Sequence, residues 1–115
     1  MPDRKKSELL QGTLDLLILQ TLSLGALHGY AIAQHIERTS SDVFHVEQGS
    51  LYPALERLLA GGFVTAKWGV SPTGRKARYY TLTASGRKQL GAEISEFDRL
   101  TGAIARILGR APTEA

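Results

Sequence analysis

Residues Gln48 to Leu59 read Q-G-S-L-Y-P-A-L-E-R-L-L, and no other stretch constrains the fold as tightly. Leu51, Leu55, Leu58 and Leu59 recur at helical spacing, which predicts a short helix with one buried stripe. Ser50 suits the N-cap, and Pro53 then falls in the first turn, where its missing N–H has no intrahelical partner to lose. Gly61-Gly62 ends the helix. With the stripe turned inward, Gln48, Ser50, Tyr52, Pro53 and Arg57 are left at or near the exposed side. A helix this short needs a core built by other elements, and the elements around it are readable.

A hairpin follows directly. Phe63 to Trp68 reads as a strand with Val64, Ala66 and Trp68 on one face, Ser71-Pro72-Thr73-Gly74 is a turn cluster, and Arg78 to Thr83 is the returning strand. Trp68 is expected to pack on Tyr79 or Tyr80, in preference to forming a stacking platform for an aromatic ligand. The net charge of +3 says little, but its distribution says more. Met1 to Gly62 sums to −2 and Gln89 to Ala115 to −1, whereas Phe63 to Lys88 carries six bases and no acid, +6. A local field of this kind attracts a polyanion even on a nearly balanced molecule. A basic run alone is as readily a solvated tip that keeps a strand edge soluble.

Upstream, residues 1–9 are polar and predict a flexible basic arm carrying Arg4, Lys5 and Lys6. A first helix is expected from Leu10 or Thr13 to Leu24, with Leu10, Leu14, Leu16, Leu17, Ile18, Leu19 and Leu22 making it apolar over most of its circumference. Such a helix is buried on several sides, which points to a second subunit as well as its own core and makes Leu14 a candidate interface residue. A second helix opens at His28-Gly29, with Gly29 read as conformational permissiveness, and closes near Thr39-Ser40-Ser41-Asp42. Val43 to Val46 is expected to be a short extended piece. After the hairpin, Thr83 or Ser85 caps a last helix. Its apolar positions Leu90, Ile94, Phe97, Leu100, Ile104 and Ile107 are spaced close to a coiled-coil seam, and no long partner helix remains in the chain. A homodimer through this seam is the economical explanation. Residues 109–115 read as a disordered tail.

The fold class expected is therefore mainly α with a small β-hairpin: a winged helix-turn-helix domain over residues 10–83, plus a C-terminal dimerisation helix over 84–108. The 115 residues suffice for one core. The absence of cysteine excludes a disulfide framework, a Cys-ligated zinc and a thiol nucleophile, and it suits a reducing compartment. The N-terminus lacks a secretory pattern. The longest apolar stretch, Leu14 to Leu27, is interrupted by Gln20 and Gly25 and falls short of the roughly 20 residues that span a bilayer. A cytoplasmic protein with no membrane partner is expected. His28, His35 and His45 lack metal-ligand spacing, and there is no G-x-S-x-G, P-loop or H-E-x-x-H, so no metal, cofactor or catalytic residue is expected and the chain is not read as an enzyme.

At this point the chain resembles the PadR family of transcriptional regulators, in the short branch with a single C-terminal helix. The match is carried by Gln11-Gly12-Thr13-Leu14-Asp15-Leu16-Leu17-Ile18-Leu19, by His28-Gly29-Tyr30, and by Gly49-Ser50-Leu51-Tyr52-Pro53-Ala54-Leu55 with Arg57-Leu58. Gly62-Phe63-Val64 and Arg78-Tyr79-Tyr80-Thr81-Leu82-Thr83 with Gly86 complete it, so that the resemblance covers nearly everything from Leu10 to Leu108. It implies a homodimer that binds double-stranded DNA at a palindromic operator, most often to repress. Some members release DNA when a small molecule binds, so an effector of unknown identity is a further partner it allows, although no effector-pocket signature stands in the sequence.

From the residues alone, Ser50 is as well read as a cap, Pro53 as an initiator and Tyr52 as packing against the wing. The resemblance turns the reading toward DNA contact at Tyr52 and Arg57, with Arg57 reaching a phosphate or a guanine edge and Gln48, Ser50 and Pro53 beside the same groove. Tyr30 is either a phosphate contact at the start of the second helix or a half-buried core tyrosine. Arg75 and Lys76 at the wing tip suit a narrow minor groove, with Lys67 and Arg78 flanking them toward phosphates. The alternative is a winged helix that binds protein or senses a metabolite and has no primary DNA role.

Overall fold

The computed structural model describes residues 11–110. The basic arm expected at residues 1–9, Leu10 and the last five residues of the expected tail lie outside the described residues. In chain order the elements are α1 (Gln11–Leu22), β1 (Leu27–His28), α2 (Gly29–Thr39), α3 (Gln48–Ala60), β2 (Val64–Val70), β3 (Lys76–Leu82) and α4 (Ala84–Ile107).

The apolar girth of α1 is absorbed inside the chain. Leu14, Ile18, Leu19 and Leu22 are buried, Leu16 and Leu17 are partly so, and the helix packs against α2, α3, α4 and β3. Leu14, expected at a subunit interface, is 2% exposed and belongs to the protomer's own core. A small fold has to surround one helix with all the others, and α1 is that helix.

The strand β1 was not anticipated, because two residues are too few to show alternation. It pairs antiparallel with β3, Leu27 opposite Tyr80 and His28 opposite Tyr79, so the wing is the outer part of a three-stranded sheet ordered β1-β3-β2. His28 also caps α2, its Nδ1 accepting from the Ala31 N–H at 3.2 Å. Ile32 and Ile36 bury the inner side of α2. Ser41 and Asp42 make the turn after it in the left-handed region, at φ 54° and 65°. The Glu37 carboxylate accepts from the Val46 N–H at 2.8 Å, tying the start of α3 back to α2. The extended piece expected over Val43–Val46 shrinks to one bridge residue, Phe44.

α3 begins three residues earlier than an N-cap at Ser50 would place it. Glu47 takes the N-cap with an extended backbone and no side-chain cap bond, and its carbonyl accepts from the Ser50 and Leu51 N–H groups at 3.0 and 2.9 Å. Ser50 is therefore a first-turn residue, and Pro53 sits inside the helix rather than in its first turn. The Gly49 carbonyl consequently has no intrahelical donor, a loss that water can offset on an exposed turn. Leu51, Leu55 and Leu58 are buried, as the spacing predicts; Leu59 is only partly so, and Ala54, outside the expected stripe, is buried with them.

β2 and β3 pair in register from Val64 opposite Leu82 to Val70 opposite Lys76. Ser71 closes their turn, its Oγ accepting from the Arg75 N–H at 3.1 Å. Of the two caps open to α4, Thr83 is the one used: its Oγ1 accepts from the Gly86 N–H at 2.9 Å and donates to the Gly62 carbonyl at 2.8 Å. A Cβ at Gly86 would collide with the Phe63 carbonyl, so glycine there lets α4 close on the root of the wing. Leu90, expected in the dimer seam, is 8% exposed and completes the core instead. From Ile94 onward the apolar side of α4 is uncovered: Ile94, Phe97, Leu100, Ile104 and Ile107 are all exposed.

Candidate nucleic-acid interface

The buried stripe of α3 leaves Gly49, Pro53, Glu56 and Ala60 on the opposite crest, four, three and four residues apart. Gln48, Ser50 and Tyr52 are exposed around its first two turns. A cleft of about 1010 Å³ opens between this side of α3, the start of α2 and the wing, lined among others by Tyr30, Tyr52, Glu56, Trp68, Lys76 and Arg78.

Strand alternation decides which wing residues face it. Val64, Ala66, Trp68 and Val70 on β2 share one face with Leu82, Tyr80, Arg78 and Lys76 on β3. The inner end of this face is core, and the outer end is cleft. Lys67, expected to flank the wing-tip bases, stands opposite Tyr79 on the other face and does not line the cleft. It immediately precedes Trp68, and that single step along the strand is enough to reverse its direction.

Two of the expected contacts are already engaged. Arg57 Nη2 is 2.9 Å from Asp15 Oδ1, a bridge from α3 to α1. Arg57 lies on the flank of α3 that borders the buried stripe, not on the crest, and its guanidinium turns to α1. Arg78 Nη1 is 3.1 Å from Glu56 Oε2, and its guanidinium lies 5.8 Å over the Tyr80 ring. Burial raises the Tyr80 phenol above its ordinary value while Arg78 pulls the other way. Glu56, unremarked in the sequence, thus joins α3 to β3 and brings the one carboxylate among the named cleft residues. The signal was available: it is the acid on the crest of the helix, opposite a wing that carries only bases.

The other expected residues are accessible. Arg75 and Lys76 are exposed at the tip and form no ion pair with a described residue. Tyr30 is 63% exposed, against the half-buried alternative, and its hydroxyl accepts from Gln34 Nε2 at 3.3 Å. Tyr52 is partly exposed and lies across the start of α2: a Cβ on Gly29 would stand 2.7 Å from its hydroxyl. Gly29 is accordingly a close-approach residue, and its φ is not in the left-handed region. Tyr52 thus packs on α2, and it lines the same cleft as Tyr80 of β3.

Trp68 does not pack on Tyr79 or Tyr80. It is 61% exposed, and the Lys76 ammonium stands 5.1 Å from its ring centroid. Tyr79 turns the other way, edge-on to His28 at 5.3 Å, and its hydroxyl donates to the Val70 carbonyl at 2.8 Å. His45 lies between Glu37 and Glu47, each 2.9 Å from a ring nitrogen. Among the described residues no three His, Asp or Glu side chains converge as a metal site, and no helix is long and apolar enough to cross a membrane.

Comparison with known proteins agrees with this architecture. A family model for the transcriptional regulator PadR-like family matches residues 18–92. The negative transcriptional regulator PadR of Bacillus subtilis is 32% identical over 73 residues, covering 64% of this chain and 40% of that protein. The crystal structure of Bacillus subtilis PadR in complex with operator DNA superposes with a TM-score of 0.63 at 30% identity, over 70% of this chain and 46% of that one. The crystal structure of a PadR-like transcriptional regulator from Bacillus cereus gives a TM-score of 0.73 at 25% identity, over 86% of this chain and 94% of that one. The chain thus spans less than half the length of the Bacillus subtilis protein and matches nearly all of the Bacillus cereus one.

Proposed function

The chain belongs to the PadR-like family of transcriptional regulators, and from that footing we propose that it represses transcription as a homodimer on an operator of two inverted half-sites. The observation that carries the reading is the cleft that Tyr52 of α3 and Tyr30 of α2 share with the wing bases Arg75 and Lys76, beside the exposed first turn of α3. On this reading α3 enters the major groove, where Gln48, Ser50, Tyr52 and Pro53 meet base edges and phosphates. The unpaired N–H groups and positive dipole end of α3 favour a phosphate there. Arg75 and Lys76 enter or straddle the neighbouring minor groove. Tyr30, at the start of α2, reaches the phosphate backbone. Arg78 contributes less than its charge suggests, because Glu56 balances it.

The pairing surface in this proposal is the stripe Ile94, Phe97, Leu100, Ile104 and Ile107, exposed and spaced as one helix face. Leu90 and everything before it then form the DNA-binding unit, and the rest of α4 forms the dimerisation arm. The Bacillus subtilis relative solved with operator DNA lends weight to the DNA-binding half of the reading.

Selection from a random duplex library tests it. An inverted repeat with half-sites about one helical turn apart is expected to be enriched. Its affinity should fall with salt at a log–log slope of about −0.9 per neutralised phosphate. No enriched sequence, together with affinity indifferent to salt, would overturn the proposal.

A further inference from the structure

Trp68 is an exposed indole in a chain with no other tryptophan. Nothing inside the fold accounts for it. Val64, on the same strand face, is fully buried, and exposure rises along that face until Trp68 and Val70 are 61% and 67% exposed. The wing outruns the core, and its outer end carries an aromatic and a β-branched residue into solvent on the side that faces α3. Lys76, 5.1 Å from the ring centroid, stands over the indole and orients it with a cation alongside. Tyr30, Tyr52, Arg75 and Arg78 line the same cleft.

Aromatic faces interleaved with cations match a nucleic-acid backbone, which offers phosphates to the cations and sugar and base faces to the rings. A second copy of this chain suits the surface less well, because it would bring the same bases against themselves. We propose that Trp68, flanked by Val70, is the wing's non-electrostatic grip on duplex DNA: the indole rests against the deoxyribose and base edge of the strand whose phosphates Arg75 and Lys76 neutralise. The inference rests on the DNA-binding reading above and adds to it the residue whose contribution salt does not remove.

The test uses the full chain, with the duplex enriched by selection or, if none is enriched, mixed-sequence genomic duplex. The emission of the lone tryptophan should shift to the blue and lose intensity as the duplex is added, saturating with binding. Trp68→Ala should weaken binding about tenfold at every salt concentration while leaving the salt slope unchanged, since the contact is apolar burial against sugar and base edge and releases no counterion. Trp68→Phe should recover part of the loss. Lys76→Ala should instead lower the slope by about 0.9. Circular dichroism and a thermal melt of each variant check the fold, and the wild-type emission readout needs no variant at all. If the wild type binds duplex with a salt slope but its emission is unmoved and Trp68→Ala binds as well, the grip is refuted and the DNA-binding reading stands. A lowered slope in Trp68→Ala would refute it too, because the ring would then act only by placing Lys76. If the wild type binds no duplex, the reading and the grip fall together.

Discussion

Among the described residues two apolar surfaces are left in solvent, and they differ in their company. Along the second half of α4, Ile94, Phe97, Leu100, Ile104 and Ile107 form a stripe, and Glu96 and Arg99 nearby pair with each other at 2.6 Å. In the cleft beside the wing, Tyr30, Tyr52 and Trp68 are exposed to a similar degree but alternate with Arg75, Lys76 and Arg78. Exposure alone does not tell what covers a surface; the charges around it do. The stripe suits an equally apolar copy of itself, and the cleft suits a polyanion.

The largest effect should come from the stripe. Phe97→Asp with Ile104→Asp puts two carboxylates on it without touching the core, so the protomer should keep its helical spectrum and sediment as a monomer. Operator affinity should fall on the order of a thousandfold as the two half-sites lose their linkage. A double variant that still sediments as a dimer would break the comparison on this side. Next in size is Arg75→Ala with Lys76→Ala, which should weaken binding about ten- to a hundredfold at low salt and reduce the salt slope by roughly 1.8, with dimer mass unchanged. An unaltered slope would show that the cleft's cations are bystanders.

A smaller effect of opposite sign separates balanced from unbalanced charge. Glu56→Gln removes the carboxylate that holds Arg78 and should tighten binding to mixed-sequence duplex about threefold, measured by gel shift at fixed salt. Weaker binding would mean that Glu56 itself reads the DNA. Smallest is Arg57→Ala. The Arg57–Asp15 bridge is partly solvated, so its loss should cost no more than about 1 kcal/mol in urea denaturation. Asp15→Asn should cost about as much, and the double variant little more than either. Operator affinity should stay within about twofold; a collapse of binding would return Arg57 to the DNA face.

These variants follow the line between what was legible in the chain and what was not. The stripe of α3, the inner face of β2 with Val64 and Ala66, and the exposed run from Ile94 on α4 were all legible, because a repeat of two or of three to four residues is a local property. The ends of those patterns were not. Leu14 and Leu90 carry the same periodicity as their neighbours but are claimed by the core, a matter of what happens to lie beside them. Trp68 shares its face with Val64, and only the length by which the wing outruns the core leaves it in solvent.

Periodicity, turn chemistry and the acid-free run from Phe63 to Lys88 determined by themselves that this is a winged helix with a basic hairpin and an unsatisfied C-terminal helix. The tertiary structure alone decided which bases are available. Arg57 meets Asp15 across 42 positions of chain and Arg78 meets Glu56 across 22, while Lys76 meets no carboxylate among the described residues. A charge's partners depend on distances of about 3 Å between residues far apart in the chain, and no local pattern encodes them.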